Sequence, residues 1–142
     1  MASGDSSDKR TAVSTTAAPP PLPQFSQGIN YNGLLFCSGS VGMDPETKTL
    51  VEGSIKDRAR QCLRNLSAVL EAGGSGIDRV LKVNIYLTDM ANFAATNEAY
   101  DEFFTQEPKP ARTCVAVHQL PLGTDIEIEA VGVADKDVKS KI

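Results

Sequence analysis

The sequence predicts a single α+β domain whose elements follow the order β-β-β-α-β-α-β-β. Three observations support this prediction. An Asn-Gly pair stands between two apolar segments, two stretches repeat apolar residues at helical spacing, and other stretches alternate apolar and polar residues as half-buried strands do. With 142 residues, of which 41% are hydrophobic, the chain has the length of one domain with a core of its own.

The first two strands are predicted around Asn32-Gly33, within FSQGINYNGLLFCSG. Asn-Gly is the strongest short signal for a tight hairpin, because both residues tolerate positive φ. We therefore expect residues 25–31 and 34–39 to form a hairpin. After the loop GMDPETKT, residues 50–51 are expected to form a short third strand.

The first helix is predicted to follow Ser54, with Asp57 three residues on to complete a capping box. Gly73 and Gly74 mark its end, because glycine readily adopts the left-handed conformation that closes a helix. Between these signals the apolar residues recur at helical spacing: Ile55, Ala59, Cys62, Leu63, Leu66, Val69 and Leu70. This segment is therefore predicted to be an amphipathic helix.

The fourth strand and the second helix are predicted in RVLKVNIYLTD and NFAATNEAYDEFF. Alternate positions of the strand are apolar, as a half-buried strand requires: Leu81, Val83, Ile85 and Leu87. The helix repeats a stripe at i, i+4, i+7 and i+11: Phe93, Asn97, Tyr100 and Phe104.

The last two strands are predicted in RTCVAVHQL and DIEIEAVGVA, joined by a turn at residues 121–124. If His118 pairs with Asp125 across this turn, the strands run antiparallel. One face would then carry Arg112, Cys114, Ala116, Glu127 and Glu129. The other would carry Thr113, Val115, Val117, Ile126, Ile128 and Ala130. We expect the helices to cover this second, apolar face.

No element remains to cover the face predicted to bear Arg112 and Glu127. Charged groups are costly on a covered surface unless they are paired or employed in function. A sheet that its own helices cover on one side only can complete its burial against another subunit. We therefore predict a homo-oligomer whose interface borders these two residues.

The two ends of the chain differ in composition from the rest. Residues 1–22 are rich in Ser, Thr, Ala and Pro and hold few large apolar side chains, so burial cannot offset the entropy lost on ordering. We expect a disordered tail over residues 1–22, a folded domain over residues 23–135 and a C-terminal tail over residues 136–142.

Localisation is predicted to be cytoplasmic, with two alternatives left open. The leader resembles a mitochondrial transit peptide in its Ser and Thr content, but it contains Asp5 and Asp8 and only one Arg. The final Ser140-Lys141-Ile142 differs at one position from the peroxisomal Ser-Lys-Leu. No apolar run approaches the roughly 20 residues of a membrane helix.

Composition disfavours several function classes. The net charge of -4 argues against a nucleic-acid partner, because such binding depends on clustered Lys and Arg. The three cysteines are odd in number and form no C-x-x-C motif, which is typical of reduced thiols. A single His without paired ligand spacing gives no basis for a metal site.

Four motifs resemble the RidA/YjgF family of reactive-intermediate imine deaminases: FCSGSVGMDP, FAATNEAYDEFF, PARTCVAV and LPLGTDIEIEAV. The resemblance runs from about Phe25 to Val133. It implies a chorismate-mutase-like fold assembled as a homotrimer, with clefts between subunits. It also implies hydrolysis of 2-imino and 2-enamino acids of the 2-aminoacrylate and 2-iminobutyrate type, which pyridoxal-phosphate enzymes release, to 2-keto acids and ammonia. No cofactor is implied.

The resemblance assigns roles to six residues. Arg112 matches the arginine that holds the substrate carboxylate, for which a planar guanidinium is suited. Glu127 matches the glutamate that holds or activates the attacking water. The remaining substrate-binding matches are Ser38, Cys114 through its backbone, Asn97, and Phe25, which stands where many members have tyrosine.

Two other interpretations stay open. The same cleft could serve a non-catalytic module that binds 2-keto acids or related carboxylates, and Arg112 could instead form a structural ion pair with Glu127 or Glu129. Glu129 by itself is more typical of a solvated or interface charge. Ribonuclease activity or translation inhibition, proposed for relatives, has no visible machinery in an acidic chain without a His pair.

Overall fold

A computed structural model of the chain describes residues 9–135. Its strands are β1 (Thr11–Val13), β2 (Gly28–Tyr31), β3 (Leu34–Val41), β4 (Val80–Leu87), β5 (Ala111–Ala116) and β6 (Ile126–Val133). Its helices are α1 (Ile55–Ala72) and α2 (Phe93–Phe103). Short 3-10 turns occupy Ile77–Arg79, Met90–Asn92 and Pro121–Gly123. The predicted order of elements is confirmed.

All six strands form one mixed sheet in the order β1-β2-β3-β6-β4-β5. Neighbouring strands are antiparallel, except that β4 and β5 are parallel. The chain between β4 and β5 contains α2, which is the kind of crossover that a parallel pair needs. Strand β5 therefore lies at one edge of the sheet, beside α2.

Local signals confirm two predicted elements. Asn32 and Gly33 have φ values of 51° and 82°, as a hairpin turn between two twisted strands requires. At the start of α1, the Ser54 hydroxyl accepts from the Asp57 backbone N–H, and the Asp57 carboxylate accepts from the Ser54 backbone N–H. Gly74, just after the helix, has a φ of 82°.

The structure differs from the disorder predicted up to residue 22. Residues 11–13 pair with β2, and Val13 is buried. The buried Gln27 side chain anchors the following segment: its Nε2 donates to the carbonyl oxygens of Thr15 and Pro19, at 3.0 and 2.8 Å, and its Oε1 accepts from the Thr15 backbone N–H. Residues 1–8 and the predicted C-terminal tail, residues 136–142 with Ser140-Lys141-Ile142, lie outside the described range.

The predicted third strand is also corrected. Residues 50–51 form no strand, and Leu50 makes only an isolated bridge to Met43. The structure instead has an additional strand, β1, before the predicted hairpin. Three strands therefore still precede α1, as predicted.

The predicted pairing of the last two strands is wrong. Strand β5 pairs with β4, placing Arg112 beside Val83, whereas β6 places Glu127 beside Tyr86. Partners in register point to the same face of a sheet, and neighbours along β4 point to opposite faces. Arg112 therefore lies on the face of Val83, and Glu127 on the opposite face. The prediction that both share one face is wrong.

Both helices cover one face of the sheet, and that face holds the core. Its fully buried side chains include Leu35, Leu63, Leu70, Val83, Ile85, Leu87, Ile126 and Ile128. Within residues 9–135 no helix covers the other face, which we call the open face. It carries Phe36 and Val115, which are 44% and 42% exposed, and Glu127 and Glu129. The prediction of a sheet covered on one side is confirmed, although the residues on each face differ. None of the helices in the described range is long and apolar enough to cross a membrane.

Candidate active site

A groove of about 370 Å³ brings together three of the predicted site residues, Phe25, Ser38 and Glu127. Its apolar lining comes from four parts of the chain. Leu66 and Val69 of α1 line it, together with the segment before β2, the end of β3 and the turn before β6. Glu127 is the one charged side chain in this lining among the described residues.

A bulge in β3 shapes the groove beside Glu127. The pairing of β3 with β6 shifts between Cys37 and Ser40, so one extra residue of β3 faces β6 at this point. The Ser38 hydroxyl donates to the backbone carbonyl of Ser26 at 2.6 Å, which fixes its side chain at the groove. A Cβ atom at Gly39 would lie 2.2 Å from Oε2 of Glu127, so this position requires glycine if the carboxylate is to stay where it is.

Glu127 has the electrostatics of a proton acceptor. Burial, and to a lesser extent the negative charge of Glu129, raise the pKa of Glu127. Within the described part of the chain, no Lys, Arg or His lies in ion-pair range of its carboxylate. A carboxylate of raised pKa is a stronger base, as a group that activates water should be.

Arg112 projects from β5 over the aromatic stripe of α2. Its guanidinium carbon lies 4.8 Å from the ring centroid of Tyr100 and 5.6 Å from that of Phe93. Such contacts position a cation without using its hydrogen-bond donors. No carboxylate between residues 9 and 135 lies in ion-pair range of Arg112. Its donors therefore have no acidic partner within the described chain.

Asn97 and Cys114 lie on the same side of the sheet as Arg112. Asn97 stands between Phe93 and Tyr100 on the stripe of α2, and its buried Oδ1 has no hydrogen-bond partner among the described residues. Cys114 packs partly against the core, and burial raises the pKa of its thiol. A thiol of raised pKa is a poor nucleophile, because the thiolate is the reactive form.

The predicted site residues therefore fall into two groups. Phe25, Ser38 and Glu127 line the groove, whereas Arg112 lies with Asn97 and Cys114 beside α2. The sheet separates Arg112 from Glu127 within one chain, since the two residues occupy opposite faces.

Sequence reasoning missed two residues that shape the groove. Gly39 has no side chain whose pattern could be recognised. Asn65 is a polar residue within the apolar stripe of α1, and this break in the pattern is a signal by which the sequence could identify it. It is 2% exposed, and its Nδ2 donates to the carbonyl oxygens of Val41 and Met43, at 3.2 and 2.9 Å, which fixes the end of β3 beneath the groove.

Comparison with known proteins identifies the family. The family model described as Endoribonuclease L-PSP matches residues 15–134. The chain belongs to this family. It is the RidA/YjgF family of the resemblance above, and related members carry the names RutC family protein and Reactive Intermediate Deaminase A.

Three relatives illustrate the match. Protein HMF1 of Saccharomyces cerevisiae is 46% identical over 89% of this chain and 96% of its own length. The chloroplastic Reactive Intermediate Deaminase A of Arabidopsis thaliana is 42% identical over 89% of this chain and 67% of its own length. The crystal structure of E. coli TdcF with bound serine is 32% identical, covers 88% of this chain and 99% of that one, and has a TM-score of 0.83. The L-PSP family fold thus extends over nearly all of the described residues.

Proposed function

We propose that this protein hydrolyses reactive 2-imino and 2-enamino acids to 2-keto acids and ammonia, and so protects pyridoxal-phosphate enzymes from them. The observation that carries the proposal is the partly buried Glu127, which has a raised pKa and no basic partner in the described chain, in a groove large enough for a small organic acid. The name of the Arabidopsis relative supports this reaction class. The serine in the TdcF crystal supports a small ligand that carries a carboxylate.

The proposed reaction needs one base and one carboxylate anchor. Water attacks the C2 carbon of the protonated imine while Glu127 accepts one of the water protons, which forms a neutral tetrahedral carbinolamine. Glu127 then returns this proton to the amino group, and as the C–N bond breaks the carbinolamine hydroxyl gives its proton to Glu127 and becomes the carbonyl of the 2-keto acid. The departing ammonia takes that proton up and leaves as ammonium. An enamine substrate first takes a proton from solvent at C3 to become the protonated imine. No electrons are exchanged with an external partner.

Arg112 is the proposed carboxylate anchor, and a second protomer is needed to supply it. Arg112 and Glu127 occupy opposite faces of the sheet, so one chain cannot direct both side chains at one ligand. We propose a homotrimer in which the β5 edge of one protomer meets the groove of its neighbour. Arg112 of one subunit then faces Glu127, Ser38 and Phe25 of the next. The partly exposed apolar residues of the open face fit such an assembly.

The direct test generates 2-iminobutyrate with threonine dehydratase and follows its hydrolysis. Semicarbazide traps the remaining imine, so an active protein lowers semicarbazone formation in proportion to its concentration. The Glu127→Gln variant keeps the shape of the side chain and should lose the effect, because an amide cannot accept the proton. Semicarbazone formation that is unchanged by the wild-type protein would refute the proposal.

A second candidate is a non-catalytic module that binds small carboxylates. It is favoured by Phe25, which places a ring without a hydroxyl at the groove where many family members have tyrosine. This candidate predicts that calorimetry detects binding of 2-ketobutyrate while the imine assay shows no turnover.

Ribonuclease activity, which the family description names, fits the groove less well than imine hydrolysis does. RNA binding depends chiefly on clustered Lys and Arg, whereas the only charged residue that lines the groove in the described chain is an acid. We therefore favour the imine substrate. We also propose the cytoplasm as the site of action, and a fluorescent fusion that carries both native termini would test that assignment.

A further inference from the structure

Three polar side chains form a connected row on the open face. Glu127 and Glu129 are alternate residues of β6 and so point to the same side. Tyr86 of β4 lies beside Glu127 in register, and its hydroxyl reaches diagonally to donate a hydrogen bond to the Glu129 carboxylate. Glu129 is therefore tied to the strand next to its own.

From this row we infer that Glu129, held in place by Tyr86, is a positioning residue that acts on Glu127 through its negative charge. The inference rests on the proposed function, in which Glu127 is the base. Glu129 itself needs no contact with the substrate, because it acts through the field of its charge on its neighbour.

The physical basis is repulsion between two nearby carboxylates. A like charge disfavours ionisation, so the Glu129 carboxylate adds to the effect of burial in raising the pKa of Glu127. A free glutamate could rotate into solvent, where water would screen this interaction. The hydrogen bond from Tyr86 opposes that rotation. The pKa of the Tyr86 phenol is raised to about 12, chiefly because this bond favours the protonated phenol and to a lesser extent because of burial and the two nearby carboxylates.

The other titratable groups around Glu127 offer no competing control in the described chain. Helix α1 contributes the buried Cys62 thiol, whose own pKa is raised chiefly by burial. The facing part of β3 contributes Gly39 and Val41, which do not titrate. Asp125, just before β6, is neutralised by its ion pair with Arg58. Glu129 is thus the charge best placed to act on Glu127.

Removing the charge of Glu129 lowers the pKa of Glu127. The base then stays deprotonated at lower pH, so the acid limb of the kcat/KM profile moves to lower pH. At neutral pH the same change makes Glu127 a weaker proton acceptor.

The test compares Glu129→Gln with a matched control, Glu98→Gln. Glu98 lies on α2 and pairs with Lys56 at 2.9 Å, so its substitution removes the same charge on the other side of the sheet. In protein labelled with ¹³C at glutamate carboxyls, NMR titration follows Glu127 directly, with its signal assigned by Glu127→Gln. We expect Glu129→Gln to lower the pKa of Glu127 and Glu98→Gln to leave it unchanged. Absorbance titration should also show a lower pKa for one tyrosine, Tyr86, in Glu129→Gln.

A conservative variant distinguishes the effect of the lost charge from an effect of misfolding. Glu129→Asp keeps the negative charge, so its Glu127 pKa should stay near that of the wild type, while circular dichroism checks the fold of all variants. An unchanged Glu127 pKa in a folded Glu129→Gln protein would overturn the inference. If the wild type hydrolyses no imine but the NMR shift appears, the proposed reaction fails while the coupling of Glu129 to Glu127 stands.

Discussion

Two regions on the helix-covered side of the sheet each contain an arginine, and the two arginines differ in whether they form an ion pair. Where α1 meets β6, Arg58 Nε and Nη2 donate to the two carboxylate oxygens of Asp125, at 2.7 and 2.8 Å. At the β5 edge, Arg112 rests on Tyr100 and Phe93, with no acid of the described chain in ion-pair range. In the first region the arginine is paired with an acid of the same chain, and this ion pair stabilises the fold. In the second region the arginine is held by aromatic rings, so its N–H donors are available to a ligand.

The largest effect should come from Arg112→Ala. Loss of a charge-assisted anchor for the substrate carboxylate should lower kcat/KM for 2-iminobutyrate by about 100- to 1000-fold. Because no ion pair is broken in the described chain, the melting temperature should change little. Arg112→Lys should recover only part of the activity, since an ammonium lacks the planar fork of a guanidinium. A large fall in melting temperature with activity retained would show that the two regions do not differ as we describe.

Arg58→Ala should show the opposite pattern, with stability lost and imine hydrolysis largely kept in the folded protein. The Arg58 and Asp125 side chains are 19% and 27% exposed. Breaking their ion pair should therefore lower the free energy of unfolding by about 2 kcal/mol at pH 7, less than for a fully buried pair. Urea unfolding measures this loss. Arg60→Ala is the matched control, because its partner Glu102 is 46% exposed and a smaller loss is expected.

This stabilisation should depend on pH in a defined direction. The hydrogen bonds from Arg58 lower the pKa of Asp125. The contribution is therefore complete above the ordinary Asp pKa of about 3.9 and is lost as the pH falls from there through the lowered value. The stability gap between the wild type and Arg58→Ala should narrow under strongly acidic conditions. A gap of the same size at neutral and strongly acidic pH would contradict the assignment of the pair as structural.

Gly39→Ala should have a smaller effect that is confined to the groove. The new Cβ would displace the Glu127 carboxylate, the mobile end of a side chain, so the fold should survive. We expect kcat to fall about tenfold, as misplacement of a catalytic group does, with the melting temperature nearly unchanged. A wild-type kcat would mean that the present position of Glu127 is unimportant for turnover.

Phe25→Tyr should give the smallest change, and in the favourable direction. A phenol at this position would add a neutral donor to the carboxylate site that Arg112 is proposed to complete. We expect KM for 2-iminobutyrate to fall by a few-fold to about tenfold, as one added hydrogen bond to a charged group allows. Unchanged KM would place the ring at residue 25 out of reach of the carboxylate.

Elements with local causes were predictable from the sequence. The Asn32-Gly33 turn and the Ser54 capping box each depend on a few adjacent residues, and both were found as predicted. Strand β1 was missed because its three residues are held by pairing with β2, and the next segment by the distant Gln27 side chain. The composition of this segment predicts a disordered tail, because a low apolar content does not reveal hydrogen bonds to a distant polar side chain.

The pairing of β5 was missed for a topological reason. The sequence predicts that strands joined by a short turn pair with each other, whereas β5 pairs with β4 across the α2 crossover. That difference moved Arg112 to the face opposite Glu127, so the cleft expected between subunits is now proposed to take its arginine from one chain and its glutamate from the next. For the groove, Phe25, Ser38 and Glu127 were recognised from the family motifs. From the sequence Glu129 is typical of a solvated or interface charge, since strand alternation does not reveal the diagonal bond from Tyr86.

The shared site is tested most directly by mixing two inactive variants. Arg112→Ala and Glu127→Gln subunits are refolded together in equal amounts, and the oligomers are assayed for 2-iminobutyrate hydrolysis. If each site takes its arginine from one subunit and its glutamate from the next, random mixing leaves both natural residues in about one quarter of the sites, and about one quarter of the wild-type activity should return. A mixture as inactive as its two parents would contradict a site built from two subunits.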